Sequence, residues 1–293
     1  MTIRPRRSVL YMPATNARAI EKARTLPVDG IILDLEDAVA PDAKAAGREQ
    51  AVAAVAGGGF RGREIFIRIN GLDTAWGIDD LTATGHAAPD AILIPKVSGP
   101  EILEMIGTRL LDMHAAQHIR VWAMMETPMA ILRAHEIAAV ARDREARLAG
   151  FVMGTNDLVK DAQARIVPGR APLVPWLMHC IAAARAYRLD ILDGVFNALQ
   201  DAEGFRVECV QARDMGFDGK TLVHPSQVGP FNAAFTPSAA EVAEARKIIA
   251  AFDQPENANK GVLQIDGRMV ERMHADMARR TVDIAEAIDA RER

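Results

Sequence analysis

Two hydrophobic patterns alternate along the first 235 residues. Short apolar runs, rich in β-branched residues, recur at Ser8–Met12, Gly30–Leu35, Glu64–Asn70, Ala91–Lys96, Val121–Glu126, Leu148–Gly154, Asp190–Phe196 and Gly219–His224. Longer stretches with helical spacing lie between them, among them Asp42–Val55, Pro128–Arg142, Leu173–Arg188 and Glu203–Met215. Short apolar runs are typical of strands in a parallel sheet, and their alternation with helices indicates βαβ units. Eight such strands favour a (β/α)8 TIM barrel over an open doubly wound sheet, and no G-x-G-x-x-G motif follows the first run.

The last part of the chain has a different pattern, so we predict a barrel domain over 1–235 and a C-terminal helical extension, or lid, over 236–293. Thr236 or Ser238 could cap a helix that has Pro237 in its first turn and ends near Phe252. Beyond it we predict a polar loop or hinge over 253–261, a short apolar piece over 261–265, a turn at 266–267 and a final amphipathic helix, Arg268–Ile288.

Composition narrows the class of protein. The chain is 49% hydrophobic and 25% charged with a net charge of −4, so no basic field argues for a nucleic-acid partner. The apolar runs are far shorter than the ~20 residues that span a membrane, and the start lacks a signal-peptide core. Cys180 and Cys209 lack metal-ligand spacing. We interpret them as reduced core residues of a cytoplasmic protein.

Polar residues end nearly every predicted strand. Active sites of TIM barrels form at the carboxyl ends of the strands, and burying an unpaired charge there is costly. The residues concerned are Asp34, Glu36, Asp37, Arg68, Asn70, Lys96, Glu126, Asp157, Asp193 and His224. This concentration of charge at one rim indicates an active site.

Glu126 and Asp157 are the best candidates for metal ligands. Each follows an apolar strand, and the two strands are neighbours. Two carboxylates completed by water and substrate oxygens suit Mg²⁺, with Mn²⁺ as the alternative. The competing interpretation is that each residue caps the following helix, which Pro128 and the Asn156-Asp157 pair would also fit.

Arg68 would face the metal from a third strand, where its guanidinium suits a developing enolate or carboxylate oxygen. A salt bridge to Glu36 or Asp37 is the alternative, and both interpretations can hold together. Glu36 and Asp37 could hold metal-bound waters. Lys96 could form a Schiff base in another barrel, but its acidic surroundings favour an ion pair.

Read together, these residues resemble the citrate-lyase β-subunit-like (CitE-like) group of the HpcH/HpaI aldolase superfamily. The resemblance covers nearly the whole chain. It rests on Arg7-Ser-Val-Leu-Tyr-Met-Pro13, Leu33-Asp-Leu-Glu-Asp-Ala-Val39, Ile67-Arg-Ile-Asn-Gly71, Ile94-Pro-Lys96, Glu126-Thr127, Gly154-Thr-Asn-Asp-Leu158, Gly216-Phe-Asp-Gly-Lys220, His224-Pro-Ser-Gln227 and Gly261 with Asp266-Gly267.

The resemblance implies a set of site residues. It implies Mg²⁺ at Glu126 and Asp157, and catalytic roles for Arg68, Glu36 and Asp37 around an enolate or acceptor oxygen. Residues implied to lie near the CoA thioester substrate are Arg7, Ser8, Lys44, Arg68, Thr155, Asn156 and Pro225. The C-terminal segment is implied to act as a lid over a neighbouring subunit, in a homotrimer or a hexamer built as a dimer of trimers.

The lid departs from the pattern of the group. Lyases of this group usually carry Met-Ile-Asp there, and this chain has Met269-Val270-Glu271. We predict that Glu271 serves as the acid or base in the neighbour's site, with Asp266 as a less favoured substitute. The seventh-strand loop also lacks the long insert associated with malyl-CoA lyases, which leaves the substrate open.

The resemblance implies a Mg²⁺-dependent carbon–carbon lyase. It would cleave malyl-, citramalyl- or citryl-CoA into an acyl-CoA and an α-keto acid, or condense these two products in the reverse direction. One alternative is a class II pyruvate-type aldolase acting on CoA-free substrates. Another is the citryl-carrier-protein subunit of a citrate lyase complex, although such subunits tend to read Asn-Pro where this chain has His224-Pro225. The last alternative is a binding protein without catalytic activity.

Overall fold

The computed structural model of the chain describes residues 4–292, and eight of its strands close into a parallel barrel in chain order. The strands are β1 (Ser8–Pro13), β2 (Gly30–Asp34), β3 (Glu64–Arg68), β4 (Ala91–Ile94), β5 (Arg120–Met125), β6 (Leu148–Met153), β7 (Asp190–Asp193) and β8 (Gly219–Leu222). The predicted barrel is confirmed. All strands but the first end earlier than predicted, so most of the polar rim residues lie in the first residues of the loops.

Helices follow the strands. They are α1 (Ala17–Ala23), α2 (Lys44–Gly57), α3 (Gly77–Ala87), α4 (Pro100–Asp112), α5 (Pro128–Leu132), α6 (Ala134–Ala139), α7 (Thr155–Asp161), α8 (Val174–Ala186), α9 (Ala202–Met215) and α10 (Val228–Phe235). The single helix predicted over Pro128–Arg142 is wrong. Arg133 leaves the helical conformation, with φ −105° and ψ 17°, and separates α5 from α6.

The barrel interior is filled by apolar side chains from seven strands. Alternate residues of a strand point to opposite faces, so each strand contributes every second side chain to the interior. The fully or nearly buried cluster consists of Val9, Ile32, Phe66, Ala91, Leu93, Trp122, Met124, Val152 and Leu192. The rings of Phe66 and Trp122 meet edge to face, with centroids 5.3 Å apart. This packed layer lies below the polar rim and supports it.

The chain divides into two compact units, residues 6–232 and residues 4–5 with 233–292. The second unit contains α11 (Ala239–Asp253), the hairpin β9 (Val262–Ile265) and β10 (Arg268–Glu271), and α12 (Arg272–Glu292). Ser238 caps α11 in a capping box with Glu241. Pro237 therefore precedes the cap and does not occupy the first turn.

The helix predicted over Arg268–Ile288 begins four residues later than expected, because Arg268–Glu271 forms β10. Asp266 and Gly267 both have positive φ, 48° and 77°. Two such residues form the turn that matches the twist of a two-stranded hairpin. The hairpin packs Ile265 and Val270 against Phe252 and Ala275. The turn chemistry and this small core together override the helical pattern.

Two features of the part of the chain that the structure describes bear on the expectations from composition. No helix among residues 4–292 is long and apolar enough to cross a membrane. Cys180 and Cys209 are buried and free, as expected for reduced core residues.

Candidate active site

A cavity of about 300 Å³ opens where the barrel strands end. It is lined by residues near the carboxyl ends of most of the strands and in the segments that follow them, and these are Tyr11, Asp34, Asp37, Ala38, Arg68, Met124, Glu126, Met153, Gly154, Thr155, Asn156, Asp157, Val195, Asn197, Thr221 and Val223. A concave site with apolar walls and a few convergent charged groups is the usual form of a small-molecule site. Seven of the residues singled out at the rim or as substrate contacts lie here: Asp34, Asp37, Arg68, Glu126, Thr155, Asn156 and Asp157.

Glu126 and Asp157 line this cavity together. Glu126 directly follows β5 and is fully buried, whereas Asp157 lies in the first turn of α7 and is partly exposed. Gly154 makes their approach possible, because a Cβ there would lie 2.3 Å from Glu126 Cβ and 2.4 Å from its Oε2. Gly154 belongs to the motif Gly154–Leu158, but its contact with Glu126 was not predicted from the sequence.

These two residues fit a hard divalent cation. Glu126 Oε2 is buried without a hydrogen-bond partner, so it can accept a ligand bond. Among residues 4–292 no group of three or more His, Cys, Asp or Glu side chains is arranged to hold a metal. Two carboxylates with water and substrate oxygens suit Mg²⁺, which keeps several waters and is bound by one or two carboxylates.

Lys96 reaches the same two carboxylates. Its Nζ lies 2.9 Å from Asp157 Oδ2, 3.7 Å from Glu126 Oε1 and 3.9 Å from Glu36 Oε1. Its backbone N–H donates to Glu126 Oε1 at 2.7 Å. Partial burial lowers the pKa of Lys96, but the carboxylates outweigh this effect and raise it above its usual value. The predicted ion pair is confirmed, and Lys96 makes it with three acids.

Arg68 is buried and its strongest partner is Asp34, a rim residue to which the sequence assigned no role. Two of its nitrogens bind the two Asp34 oxygens at 2.6 and 2.7 Å. Its Nη1 lies 2.7 Å from Glu36 Oε2 and 3.3 Å from Asp37 Oδ2. The Tyr11 ring lies 5.0 Å from the guanidinium carbon. Asp34 and Arg68 occupy paired positions of β2 and β3, a signal that a strand alignment offers once the barrel is assumed.

Glu36 has an unusual acidity. Burial raises its pKa to about 7, against the attraction of Arg68 and with further repulsion from Glu126 and Asp37. A carboxyl group with a pKa near neutrality can both accept and donate a proton at physiological pH. Burial also raises the pKa of Glu126, against the attraction of Lys96. Glu36 does not itself line the cavity, but it contacts Arg68, which does, and is therefore the acid–base candidate beside the cavity.

The resemblance placed Lys44 near CoA, whereas its ammonium is bound inside the protein. Its buried ammonium donates to Leu35 O at 2.8 Å, to Glu36 O at 2.7 Å and to Asn70 Oδ1 at 2.7 Å. All three of its donors are used inside the protein. Lys44 instead fixes the main chain that carries Glu36. Asp80, which the sequence did not single out, accepts from the Asn70 side chain at 2.6 Å and completes this network.

Arg7 and Ser8, which the resemblance also placed near CoA, do not line the cavity. Both are buried at the start of β1, and Ser8 pairs with Lys220 near the start of β8. The Arg7 guanidinium donates to Asp29, which precedes β2. The residues therefore lie at the amino-terminal end of the barrel, whereas TIM-barrel sites form at the other end.

Thr155, Asn156 and Pro225 lie at the expected end. Thr155 is buried and Asn156 exposed, and Asn197 donates to Asn156 Oδ1 at 2.8 Å. Pro225 is half-buried and opens a short turn after β8, where His224 and Gln227 form a capping box. It is not among the residues that line the cavity.

Glu271 lies in the second unit, at the end of β10, where it is half-buried. Its backbone N–H donates to His274 Nδ1 at 2.9 Å. Its role as a lid residue in a neighbouring subunit stays a prediction.

The sequence profile of the HpcH/HpaI aldolase/citrate lyase family matches residues 7–225. A (3S)-malyl-CoA thioesterase of Cereibacter sphaeroides is 48% identical over 286 residues, which cover 98% of this chain and 96% of that protein. The citrate lyase subunit beta of Escherichia coli K12 is 30% identical over 294 residues, covering 99% of this chain and 96% of that protein.

Solved structures of citrate lyase proteins have a similar fold. CitE of Mycobacterium tuberculosis, in complex with magnesium, acetoacetate and coenzyme A, superposes with a TM-score of 0.78 at 27% identity and covers 96% of this chain and 98% of its own. A citrate lyase of Burkholderia xenovorans has a TM-score of 0.83 at 23% identity, covering 99% of this chain and 93% of that one, and shows the fold alone.

Proposed function

Because the chain belongs to the HpcH/HpaI aldolase/citrate lyase family, as its motifs predicted, we propose that it hydrolyses the CoA thioester of a short hydroxy dicarboxylic acid of the (3S)-malyl-CoA class. The expectation of an enzyme from a family of CoA-ester lyases is confirmed. The choice of reaction rests on one observation. A malyl-CoA thioesterase is 48% identical across nearly the full length, against 30% for a citrate lyase subunit.

The proposed cofactor is Mg²⁺, bound by Glu126 and Asp157. Three features support it: the buried, unpartnered Oε2 of Glu126, the approach of Asp157, and magnesium in the CitE complex. When bound, the ion supplies Lewis acidity for a carbonyl or hydroxyl oxygen of the substrate.

In the proposed hydrolysis, a water oxygen adds to the thioester carbonyl carbon and the carbon–sulfur bond then breaks. The products are the free dicarboxylic acid and the CoA thiol, which takes up the proton lost by the water. Glu36, whose pKa burial raises to about 7 in the metal-free protein, is the group of the rim proposed to carry that proton. Arg68 supplies fixed positive charge toward the cavity, where negative charge develops on oxygen.

Carbon–carbon cleavage is the second candidate, favoured by the relationship to citrate lyase subunits and by the buried guanidinium of Arg68. In that reaction the substrate hydroxyl loses its proton and the adjacent carbon–carbon bond breaks. An α-keto acid leaves, and the remaining CoA enolate takes a proton on carbon. Glu271 of a neighbouring subunit is the proposed donor of that proton.

Assembly and location belong to the same proposal. We propose a homotrimer or a hexamer, in which Glu271 completes a neighbouring site; mass photometry tests the count of chains. We propose a cytoplasmic location, where CoA esters are handled and where buried free thiols such as Cys180 and Cys209 stay reduced.

The experiment is a product analysis on the purified protein. The protein is stripped with EDTA and then assayed, with and without Mg²⁺, on malyl-, citramalyl-, methylmalyl- and citryl-CoA. Free CoA and the hydroxy acid in equal amounts, with no keto acid, would establish hydrolysis. An acyl-CoA with a keto acid would establish the lyase instead. Absence of Mg²⁺-dependent turnover on every ester contradicts the proposal.

A further inference from the structure

Lys96 has a strained backbone at the centre of the acidic cluster. It lies two residues after β4 and has a φ of 52°, in the left-handed region that is unfavourable for a residue with a Cβ. In this conformation the backbone N–H donates to Glu126 Oε1 at 2.7 Å. The side chain of the same residue reaches Asp157 Oδ2 at 2.9 Å. One residue thereby fixes both proposed metal ligands.

The ammonium of Lys96 is surrounded by three carboxylates. Asp157, Glu126 and Glu36 approach it at 2.9, 3.7 and 3.9 Å. Like charges this close repel one another strongly in a partly buried site, and a cation among them removes that cost. Lys96 thus occupies the electrostatic position that a divalent ion would take.

We propose, resting on the metal site of the proposed function, that Lys96 is a positioning residue that substitutes for the metal. Its ammonium holds Glu126 and Asp157 in place while the site is empty of metal and withdraws from Asp157 when the divalent ion binds.

Electrostatics favours this exchange. Mg²⁺ binds carboxylate oxygens at about 2.0–2.1 Å, so an ion at Asp157 and the Lys96 ammonium against the same carboxylate would repel each other. The Lys96 side chain is 39% exposed, and a flexible four-carbon stem allows it to turn into solvent. The backbone hydrogen bond to Glu126 does not depend on the side chain and keeps that ligand oriented in both states.

The test compares Lys96→Met with Lys96→Arg. We expect Lys96→Met to lower the thermal midpoint in EDTA, because the empty site loses its cation. We expect it to bind Mg²⁺ about fivefold or more tightly than the wild type by isothermal titration calorimetry, since no ammonium competes. Lys96→Arg keeps the charge and should not tighten binding. Lys160→Met removes one charge from the exposed end of α7 and is the matched control, expected to leave both readouts near the wild type.

The outcomes separate the two proposals. A wild-type protein that does not bind Mg²⁺ would overturn the metal site of the proposed function. A wild type that binds Mg²⁺ while Lys96→Met binds it with equal or lower affinity would overturn only the role of Lys96. If Lys96→Met fails to fold, wild-type crystal structures with and without Mg²⁺ decide the question. Lys96 Nζ still in contact with Asp157 beside a bound ion would then contradict the exchange.

Discussion

Arg68 is a single buried cation bound by two oxygens of Asp34 and flanked by Glu36 and Asp37. The pair with Asp34 fixes the plane of the guanidinium, because a bidentate pair defines orientation as well as distance. Nη1 of Arg68 does not bind Asp34 and lies beside Glu36. This nitrogen is the part of the guanidinium that is available to a substrate oxygen in the cavity. Arg68 thus forms a structural ion pair and lies where the proposed electrostatic role requires it.

The conservative variant Arg68→Lys separates charge from geometry. A lysine keeps the positive charge but cannot form the two parallel hydrogen bonds to Asp34. We expect kcat at saturating Mg²⁺ to fall by about 10²–10³, the usual cost of losing one preorganised charge-stabilising group. Arg133→Lys is the control, because Arg133 is half-buried outside the cavity and likewise binds both oxygens of one acid, Glu101. Turnover of Arg68→Lys within twofold of the wild type would contradict this role.

Glu36 makes the stability of the metal-free protein depend on pH. Its pKa is raised from 4.5 to about 7 on folding, so at intermediate pH the unfolded chain releases a proton that the folded protein retains. The contribution of Glu36 to the unfolding free energy therefore decreases as pH rises through this window, and it stays low above the folded pKa.

We expect Glu36→Gln to gain stability relative to the wild type as pH rises from 5 to 8 in EDTA. The gain should be on the order of 1–3 kcal/mol, because each pKa unit corresponds to about 1.4 kcal/mol. Urea unfolding at the two pH values measures it, and Glu104→Gln on an exposed face of α4 controls for the loss of a carboxylate. A stability difference that is constant with pH would show that Glu36 does not titrate as described.

At the scale of elements, the β6–α7 connection brings two metal-ligand candidates together. Asp157 reaches the cavity from the first turn of α7, and Gly154 lies against Glu126 at the end of β5. A register shift between β5 and β6 at Val121 and Trp122 contributes to this arrangement of the two strand ends. A side chain at position 154 would occupy the space of the Glu126 carboxylate and prevent this approach of the two candidate ligands.

We expect Gly154→Ala to weaken Mg²⁺ binding by at least tenfold. Its Cβ would lie 2.3–2.4 Å from atoms of Glu126, so the buried carboxylate or the β6–α7 connection must move. Calorimetric titration measures the loss. Gly229→Ala is the matched control, since a Cβ there meets nothing within 4 Å. Unchanged Mg²⁺ affinity in Gly154→Ala would place the metal elsewhere.

For the barrel unit as a whole, stability depends on the apolar layer beneath the rim. Trp122 is fully buried in this layer, packs edge to face on Phe66, and lies 5.3 Å from the Arg6 guanidinium carbon at its ring. We expect Trp122→Ala to lower the unfolding free energy by about 3–5 kcal/mol through the cavity it leaves. Denaturant unfolding of both proteins measures this, with Trp176→Ala on α8, half-buried, as the milder comparison. A loss no greater than that of the comparison would mean that the layer relaxes around the cavity.

The fold was predictable because its signals are local and repeated. Eight apolar runs and the helices between them can be read within windows of a few residues, and only closed or open parallel sheets fit them. The hairpin at Val262–Glu271 escaped prediction although its Asp266-Gly267 turn was recognised. Its strands are stabilised by pairing with each other and by contacts to Phe252, not by their own pattern.

The sequence by itself determined the strand count, the rim at which charges collect and the candidates Glu126 and Asp157, because strand–helix alternation is a local pattern and places every strand end at one rim. Only the tertiary structure decided which of these groups are in contact and where they lie. It shows that Asp34 binds Arg68 and that Lys44 donates to the main-chain oxygen of Glu36. It also places Arg7 and Ser8 at the opposite end of the barrel. These outcomes depend on the register of neighbouring strands and on the closure of the barrel. Side chains tens of residues apart meet only after both are established.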